Sequence, residues 1–191
     1  LILREIDDKK IFIFDRIWGA NPMQELYQTA LFDLSYQYRG SSNLLHKQND
    51  RSRLFVHLCD LSQPQKFPVM HLIIALLKTT SLFSEEMELS RAYFNMTESA
   101  SDGILHLDDM SPDTNSKGGV TALYYVNYDW DINYAGETVF LDSYDGVGVA
   151  VTPKPGRLVL FDGRIQHVAR PPARWCPYPR ITLTMKFILP K

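Results

Sequence analysis

Hydrophobic and polar positions follow two periods along this chain, helical in its first half and strand-like from about residue 90 onward. The run Lys9-Lys-Ile-Phe-Ile-Phe14 is rich in β-branched and aromatic side chains and predicts a first strand. Asn21-Pro22 predicts a helix start, because asparagine caps helices well and proline is tolerated at the first helical position. Leu26, Tyr27, Ala30, Leu31 and Leu34 then recur at helical spacing, an ordinary core-facing stripe. Residues 40–53 are polar and aperiodic and read as a mobile loop or a substrate-side insertion. Pro68 opens a second helix through Leu77, apolar nearly all round, which predicts burial beneath a sheet.

Short strand-like segments separated by turn residues follow at 91–96, 103–108, 119–127, 137–141, 147–151, 157–161, 166–169 and 181–189. Many short strands after two helices predict an α+β fold with a barrel-like β core. The expected layout is one domain over residues 1–191, with helical support over about 1–89 and the β core over about 90–191. The 191 residues, 45% hydrophobic and 22% charged, suffice for one well-buried core. No repeat or low-complexity segment interrupts them.

Charge narrows the function classes. Twenty basic and 22 acidic residues give a net charge of −2, so no global field favours nucleic acid or an anionic membrane. The two cysteines, Cys59 and Cys176, form no C-x-x-C unit, and reduced thiols are expected of them. The longest apolar run, 67–83, contains His71 and Lys78 and is shorter than the ~20 residues a spanning helix needs. No secretory leader is visible and a cytoplasmic location is expected, although the chain opens at Leu1 rather than methionine and its native start is open.

The candidate chemistry begins at Leu105-His-Leu-Asp-Asp109. In an extended strand successive side chains alternate, so His106 and Asp108 would project to one side and hold one metal ion, with His167 as third ligand. Two imidazoles and a carboxylate leave about three of six octahedral positions open, the pattern of a non-heme Fe(II) oxygenase that binds co-substrate and dioxygen together. A structural zinc site would be closed instead. Fe(II) with one aspartate keeps about one net positive charge, suited to an α-keto carboxylate, and Arg180 can pair with a second, distal carboxylate. Thr182, two residues on, shares Arg180's face and offers a hydroxyl to the same group.

At these residues the chain resembles the Fe(II)/2-oxoglutarate-dependent dioxygenases, whose pattern is His-x-Asp, a distal His and a downstream Arg-x-Ser/Thr. The closer resemblance is to the prolyl 4-hydroxylase branch, through Ala122-Leu-Tyr-Tyr-Val-Asn-Tyr-Asp-Trp130, Ala135-Gly-Glu-Thr-Val-Phe140, Pro155-Gly-Arg-Leu-Val-Leu-Phe161 and Arg180-Ile-Thr-Leu-Thr-Met-Lys-Phe187. It covers the C-terminal half strongly and the N-terminal half weakly. The family's Gly-Gly before Glu-Thr is Ala135-Gly136 here, a departure that bears on loop shape. The resemblance implies a double-stranded β-helix, a jelly-roll or cupin-like core, in which His106, Asp108 and His167 bind iron while Arg180 and Thr182 bind 2-oxoglutarate. It also implies that Tyr125 reaches the co-substrate and that Tyr93 matches a tyrosine on the strand before the His-x-Asp loop. Parity alone leaves Tyr124 and Tyr125 open as the inward residue; the family match selects Tyr125.

The implied activity is hydroxylation of a C–H bond, most naturally on prolyl residues of a protein or peptide, with succinate and carbon dioxide as co-products and L-ascorbate keeping the iron reduced. Oxidation of a small molecule or of a lysyl residue by the same core is the alternative, as is a metal-binding β-barrel without catalysis. No nucleic-acid partner is expected, since no basic groove is announced. Among the other histidines, His46, His57 and His71 lack ligand spacing and predict core or surface roles. Asp109 would face away from Asp108 on a regular strand and predicts a residue that either supports a ligand from behind or caps the loop, with a local bulge able to exchange the two aspartates. Tyr128, Trp130, Tyr134 and Trp175 are expected near the mouth of the site, either as a docking surface or as local packing. Arg164, Arg170 and Arg174 flank His167 as a basic rim or a carboxylate site, and Arg157 carries no special claim.

Overall fold

The computed structural model describes residues 1–39, 54–101, 103–109 and 118–190. The polar segment 40–53, and His46 within it, lie outside the described residues. Among the described residues eleven strands form two sheets, with every pairing antiparallel. In chain order they are β1 (Ile2–Ile6), β2 (Lys9–Phe14), β3 (Gln37–Arg39), β4 (Leu54–Leu58), β5 (Glu88–Thr97), β6 (Val120–Tyr125), β7 (Thr138–Leu141), β8 (Gly148–Val151), β9 (Leu158–Asp162), β10 (Gln166–Ala169) and β11 (Arg180–Ile188). The large sheet runs β1-β2-β9-β6-β11-β5-β4-β3, and the small one runs β10-β7-β8.

The large sheet is buried on both faces, for different reasons. Its outer face carries Ile181, Leu183, Met185 and Phe187 of β11 with Ala122 and Tyr124 of β6, packed in one core with Leu26, Ala30, Met70, Ile73 and Leu77. Those last five come from the helices α1 (Ala20–Gln28) and α2 (Val69–Leu77) and the turn after α1. The inner face faces the small sheet, and Leu123, Tyr125, Phe140, Val151, Val159, Phe161 and Ile165 form a second core there. On β11 the inward set is Arg180, Thr182, Thr184 and Lys186, polar at every second residue although the first three are buried. A strand that sacrifices apolar contact on one enclosed face has another use for it.

Several elements depart from the sequence expectation. Helix α1 begins at Ala20 with Gly19 as its extended N-cap, so Asn21 is already helical. Pro22 still falls in the first turn, where its missing N–H costs no hydrogen bond. The helix then passes into a π-type turn, Thr29–Asp33, and Leu34 is extended. Helix α2 packs beneath the sheet as expected, and although apolar nearly all round it leaves one helical stripe exposed, at His71, Ala75 and Lys78. The first half contributes β1, β3 and β4 as well as the expected β2 and the helices, so it is part of the sheet and more than a helical support. Strand β1 carries no clean alternation because it is a largely exposed edge strand. Its turn to β2 is Asp7-Asp8, both at positive φ (50° and 59°), where Asn-Gly or Asp-Gly would have been the recognisable signal. Finally, 103–108 is no strand; within it His106 alone makes an isolated bridge, to His167. No helix among the described residues is long and apolar enough to cross a membrane.

Candidate active site

His106, Asp108 and His167 do come together, by a route other than strand parity. His106 is fixed by a reciprocal backbone pair with His167, each N–H donating to the other's carbonyl at 3.0 Å. Asp108 and Asp109 then both donate their N–H groups to the Gly163 carbonyl, at 2.8 and 3.0 Å, which turns the chain across the end of β9. Gly103 lets this segment lie close to β10, since a Cβ there would stand 2.2 Å from the Ala169 oxygen. The ligand atoms of the three side chains lie within 4.8 Å of one another.

Hydrogen bonding sets the orientation of both imidazoles. The Nδ1 of His106 faces the Ile104 carbonyl at 2.8 Å and that of His167 faces the Ile165 carbonyl at 2.9 Å. A carbonyl only accepts, so Nδ1 carries the proton and, in the neutral ring, each Nε2 keeps its lone pair. Those Nε2 atoms face Asp108, His106 at 3.4 Å from Oδ1 and His167 at 3.2 Å from Oδ2. Two lone pairs and a carboxylate aimed at one place form a donor set for a cation, with each imidazole held by a carbonyl behind it. His106 is the most open of the three, its side chain 23% exposed.

Asp108 has two further partners. Thr121 of β6 donates its hydroxyl to Oδ2 at 2.7 Å, and the Lys186 ammonium of β11 contacts the same oxygen. Burial opposes the charge on Asp108, but Lys186 and then the imidazoles outweigh it and hold the carboxyl well below the usual carboxylate range. Burial likewise disfavours a charged His106, yet its hydrogen bond to Asp108 prevails and raises its pKa above the ordinary imidazole value. Asp109 turns aside to cap the loop, accepting the Gly119 N–H at 2.6 Å.

From Lys186 the inward row of β11 leads through Thr184 and Thr182 to Arg180. Arg180 is 2% exposed, donates Nε to the Gly136 carbonyl at 2.7 Å and Nη2 to Thr138 Oγ1 at 2.9 Å, and lies over the Tyr125 ring at 5.1 Å. None of the ion pairs among the described residues involves it. A buried guanidinium with donors to spare and no carboxylate fits an anionic ligand. Beside it Thr182 Oγ1, Thr184 Oγ1 and Asn95 Oδ1 are buried without a hydrogen-bond partner. All three share the inner face, because Asn95 stands opposite Thr182 in the ladder. Orphaned polar atoms between a metal-donor set and a lone arginine are what a polar, doubly charged co-substrate would satisfy.

Tyr125 faces inward, its hydroxyl bonded to Thr138 Oγ1 at 2.8 Å and to the Val151 carbonyl at 3.1 Å, whereas Tyr124 packs toward the helices. Tyr93 also faces inward, opposite Thr184 and nearer the metal-donor end than Arg180 is. Lys186, Thr121, Thr184 and Asn95 were not singled out from the sequence, although the polar residue at every second position of β11 announces two of them.

Other expected site residues lie elsewhere. Trp130, Tyr134 and Trp175 do cluster, Tyr134 standing 5.7 and 5.3 Å from the other two, and Tyr178, not expected from the sequence, joins them at 6.3 Å. Trp130 and Arg180 both lie against Gly136, which puts this cluster at the Arg180 end of β11. Arg164 closes onto Asp162 at 2.7 Å. Arg157, given no role from the sequence, makes a bidentate pair with Asp15 at 2.6 and 2.9 Å that ties β9 to the end of β2. His57 bonds through Nδ1 to the Ser35 carbonyl, away from the site.

Residues 94–187 match the family model of the 2OG-Fe(II) oxygenase superfamily, a span that contains the whole donor set and the β11 row. No curated protein sequence matches the chain. Among solved structures, a Pseudomonas putida prolyl-4-hydroxylase superposes with a TM-score of 0.64 at 20% identity, covering 95% of this chain and 93% of that one. A Trichoplax adhaerens prolyl hydroxylase in complex with a hypoxia inducible factor peptide fragment gives 0.69 at 16% identity, covering 93% and 83%. HygX from Streptomyces hygroscopicus, with nickel, 2-oxoglutarate and hygromycin B bound, gives 0.66 at 12% identity, covering 94% and 82%. These likenesses carry the fold, the double-stranded β-helix that the sequence resemblance implied. Through residues 94–187, this chain belongs to the 2OG-Fe(II) oxygenase superfamily.

Proposed function

We propose that the chain is an Fe(II)- and 2-oxoglutarate-dependent dioxygenase that hydroxylates a C–H bond, with prolyl residues of a peptide or protein as the leading substrate class. His106, Asp108 and His167 hold the metal, Arg180 and Thr182 receive the far carboxylate of 2-oxoglutarate, and Tyr125 and Tyr93 line the co-substrate's path. The observation that carries this is the pairing of a three-atom donor set, within 4.8 Å, with a buried arginine that has no carboxylate partner among the described residues. When bound, the iron supplies the oxidising chemistry, with dioxygen as oxidant and 2-oxoglutarate leaving as succinate and carbon dioxide.

The chain's own residues do the rest. The carbonyls of Ile104 and Ile165 keep the imidazoles in the ligating tautomer. Thr121 and Lys186 hold the Asp108 carboxylate in place. Phe140 and Phe161 pack against the His167 ring at 5.9 and 4.8 Å and keep water from that side. L-Ascorbate is the expected reductant for iron oxidised in idle turnovers.

The prolyl assignment rests on the resemblance of the 122–140 segment to that branch and on the likeness to two prolyl hydroxylase structures. The likeness to HygX, whose structure holds hygromycin B, supports a small-molecule acceptor as the second reading. Succinate release separates them, measured with Fe(II) and ascorbate across proline peptides, lysine peptides, free amino acids and a blank. Stimulation by proline peptides, with one oxygen atom gained on proline, is expected. Stimulation by free small molecules alone would move the substrate class, and undiminished succinate from His106→Ala would sink the whole assignment.

A further inference from the structure

On the inner face of the large sheet, Lys186 stands directly opposite Arg91 in the β11–β5 ladder. Like charges facing each other across a ladder repel, and here they do so on the enclosed face that carries the metal-donor set. Lys186 is answered by Asp108 and Thr121. Arg91, half-buried, lies 4.5 Å over the ring of Tyr93, and none of the ion pairs among the described residues includes it. Asp60, the acid that follows β4 on the neighbouring side, is turned to Ser62 and Gln63 instead. Stacking on an aromatic face holds a guanidinium flat and leaves its N–H edge for a planar anion. A divalent metal would add positive charge at the same end, while the far carboxylate of the co-substrate is already matched by Arg180 at the other.

We infer that the acceptor substrate carries a carboxylate and that Arg91, backed by Lys186, receives it while the reacting carbon lies over His106, Asp108 and His167. This rests on the dioxygenase reading and narrows its substrate class. The carboxylate can come from an acidic residue next to the target in a peptide, or from the substrate's own terminus in a free amino acid. Asp108 neutralises Lys186, so Arg91 is the discriminating residue.

The test uses the protein loaded anaerobically with Fe(II) and 2-oxoglutarate, with the visible absorption of that complex recorded before any acceptor is added. Calorimetric titration then compares two matched pairs: a proline peptide with aspartate or asparagine beside the proline, and free proline or prolinamide. In at least one pair the carboxylate member is expected to bind about tenfold tighter, the scale of a charge-assisted bidentate contact. In Arg91→Gln that advantage should shrink to about twofold or less, while Arg91→Lys, which keeps the charge and guards against a folding artefact, should retain part of it. Equal binding within both pairs, no binding by any of the four, or an undiminished advantage in Arg91→Gln would overturn the inference while leaving the iron and co-substrate assignment intact. Failure of wild-type protein to give the visible complex at all would remove both together.

Discussion

Arg180 and Cys59 are both enclosed polar groups, and their surroundings set opposite expectations. Arg180 is held by the Gly136 carbonyl, the Thr138 hydroxyl and the Tyr125 ring, with donors left over for a ligand. Arg180→Ala should therefore weaken 2-oxoglutarate binding by roughly tenfold to a hundredfold, the worth of a lost charged hydrogen-bond pair, with metal affinity retained. Equilibrium titration of each ligand separately checks this. Around Cys59 burial outweighs the nearby Lys66 charge and pushes the thiol up to about 12. At pH 8 a thiol reagent should thus modify Cys59 slowly, and Cys59→Ser should remove that slow phase. A neutral thiol favoured by the fold adds stability in full below the unfolded value near ~8.5, and that contribution is lost as the pH climbs from there through about 12. The convergence of His106, Asp108 and His167 and the place of Arg180 were legible at this scale because their types and order are distinctive. Lys186 was not, since a lysine in a strand reads as surface until Asp108 is seen in contact with it.

At the scale of elements, the alternation of β11 was readable over the whole strand, and its inner and outer sets fall where period two puts them. The segment bearing His106 and Asp108 was not, because its shape comes from partners far along the chain. The His167 bridge and the Gly163 carbonyl, contributed by β10 and the turn before it, replace the regular ladder that parity assumed. Gly103→Ala tests that dependence. Its Cβ would stand 2.2 Å from the Ala169 oxygen, so the segment must draw back from β10. Metal affinity is expected to fall while the helical signal stays unchanged, followed by metal titration and circular dichroism. Helix α2 lies on the sheet as its apolar sequence predicted, and the stripe of His71, Ala75 and Lys78 faces outward, as helical geometry requires of a helix so placed.

Across the whole molecule, one sheet divides two tasks between its faces. The outer face and the helices supply most of the apolar burial, whereas the inner face combines a smaller apolar core with the polar row. Ile73→Ala, at a fully buried position of α2, should cost about 2–5 kcal/mol of stability yet leave metal and 2-oxoglutarate affinities unchanged. Chemical denaturation and ligand titration on the same sample check the two halves of that statement. The paired sheets were legible from the many short strands and the family resemblance. The contribution of β1 and β3 was missed because edge strands need no clean alternation and an Asp-Asp hairpin lacks the usual glycine, and that of β4 because its five residues, Leu-Phe-Val-His-Leu, show no polar–apolar alternation.

The most direct measurement is an anaerobic titration of the purified chain with Fe(II) and then 2-oxoglutarate, following visible absorption. Wild type is expected to develop a charge-transfer band that saturates with the keto acid, with His106→Ala giving none and Arg180→Ala requiring more 2-oxoglutarate to reach the same band. No band in the wild type, or an equal band in His106→Ala, would contradict the assignment of His106, Asp108 and His167 as an open iron site.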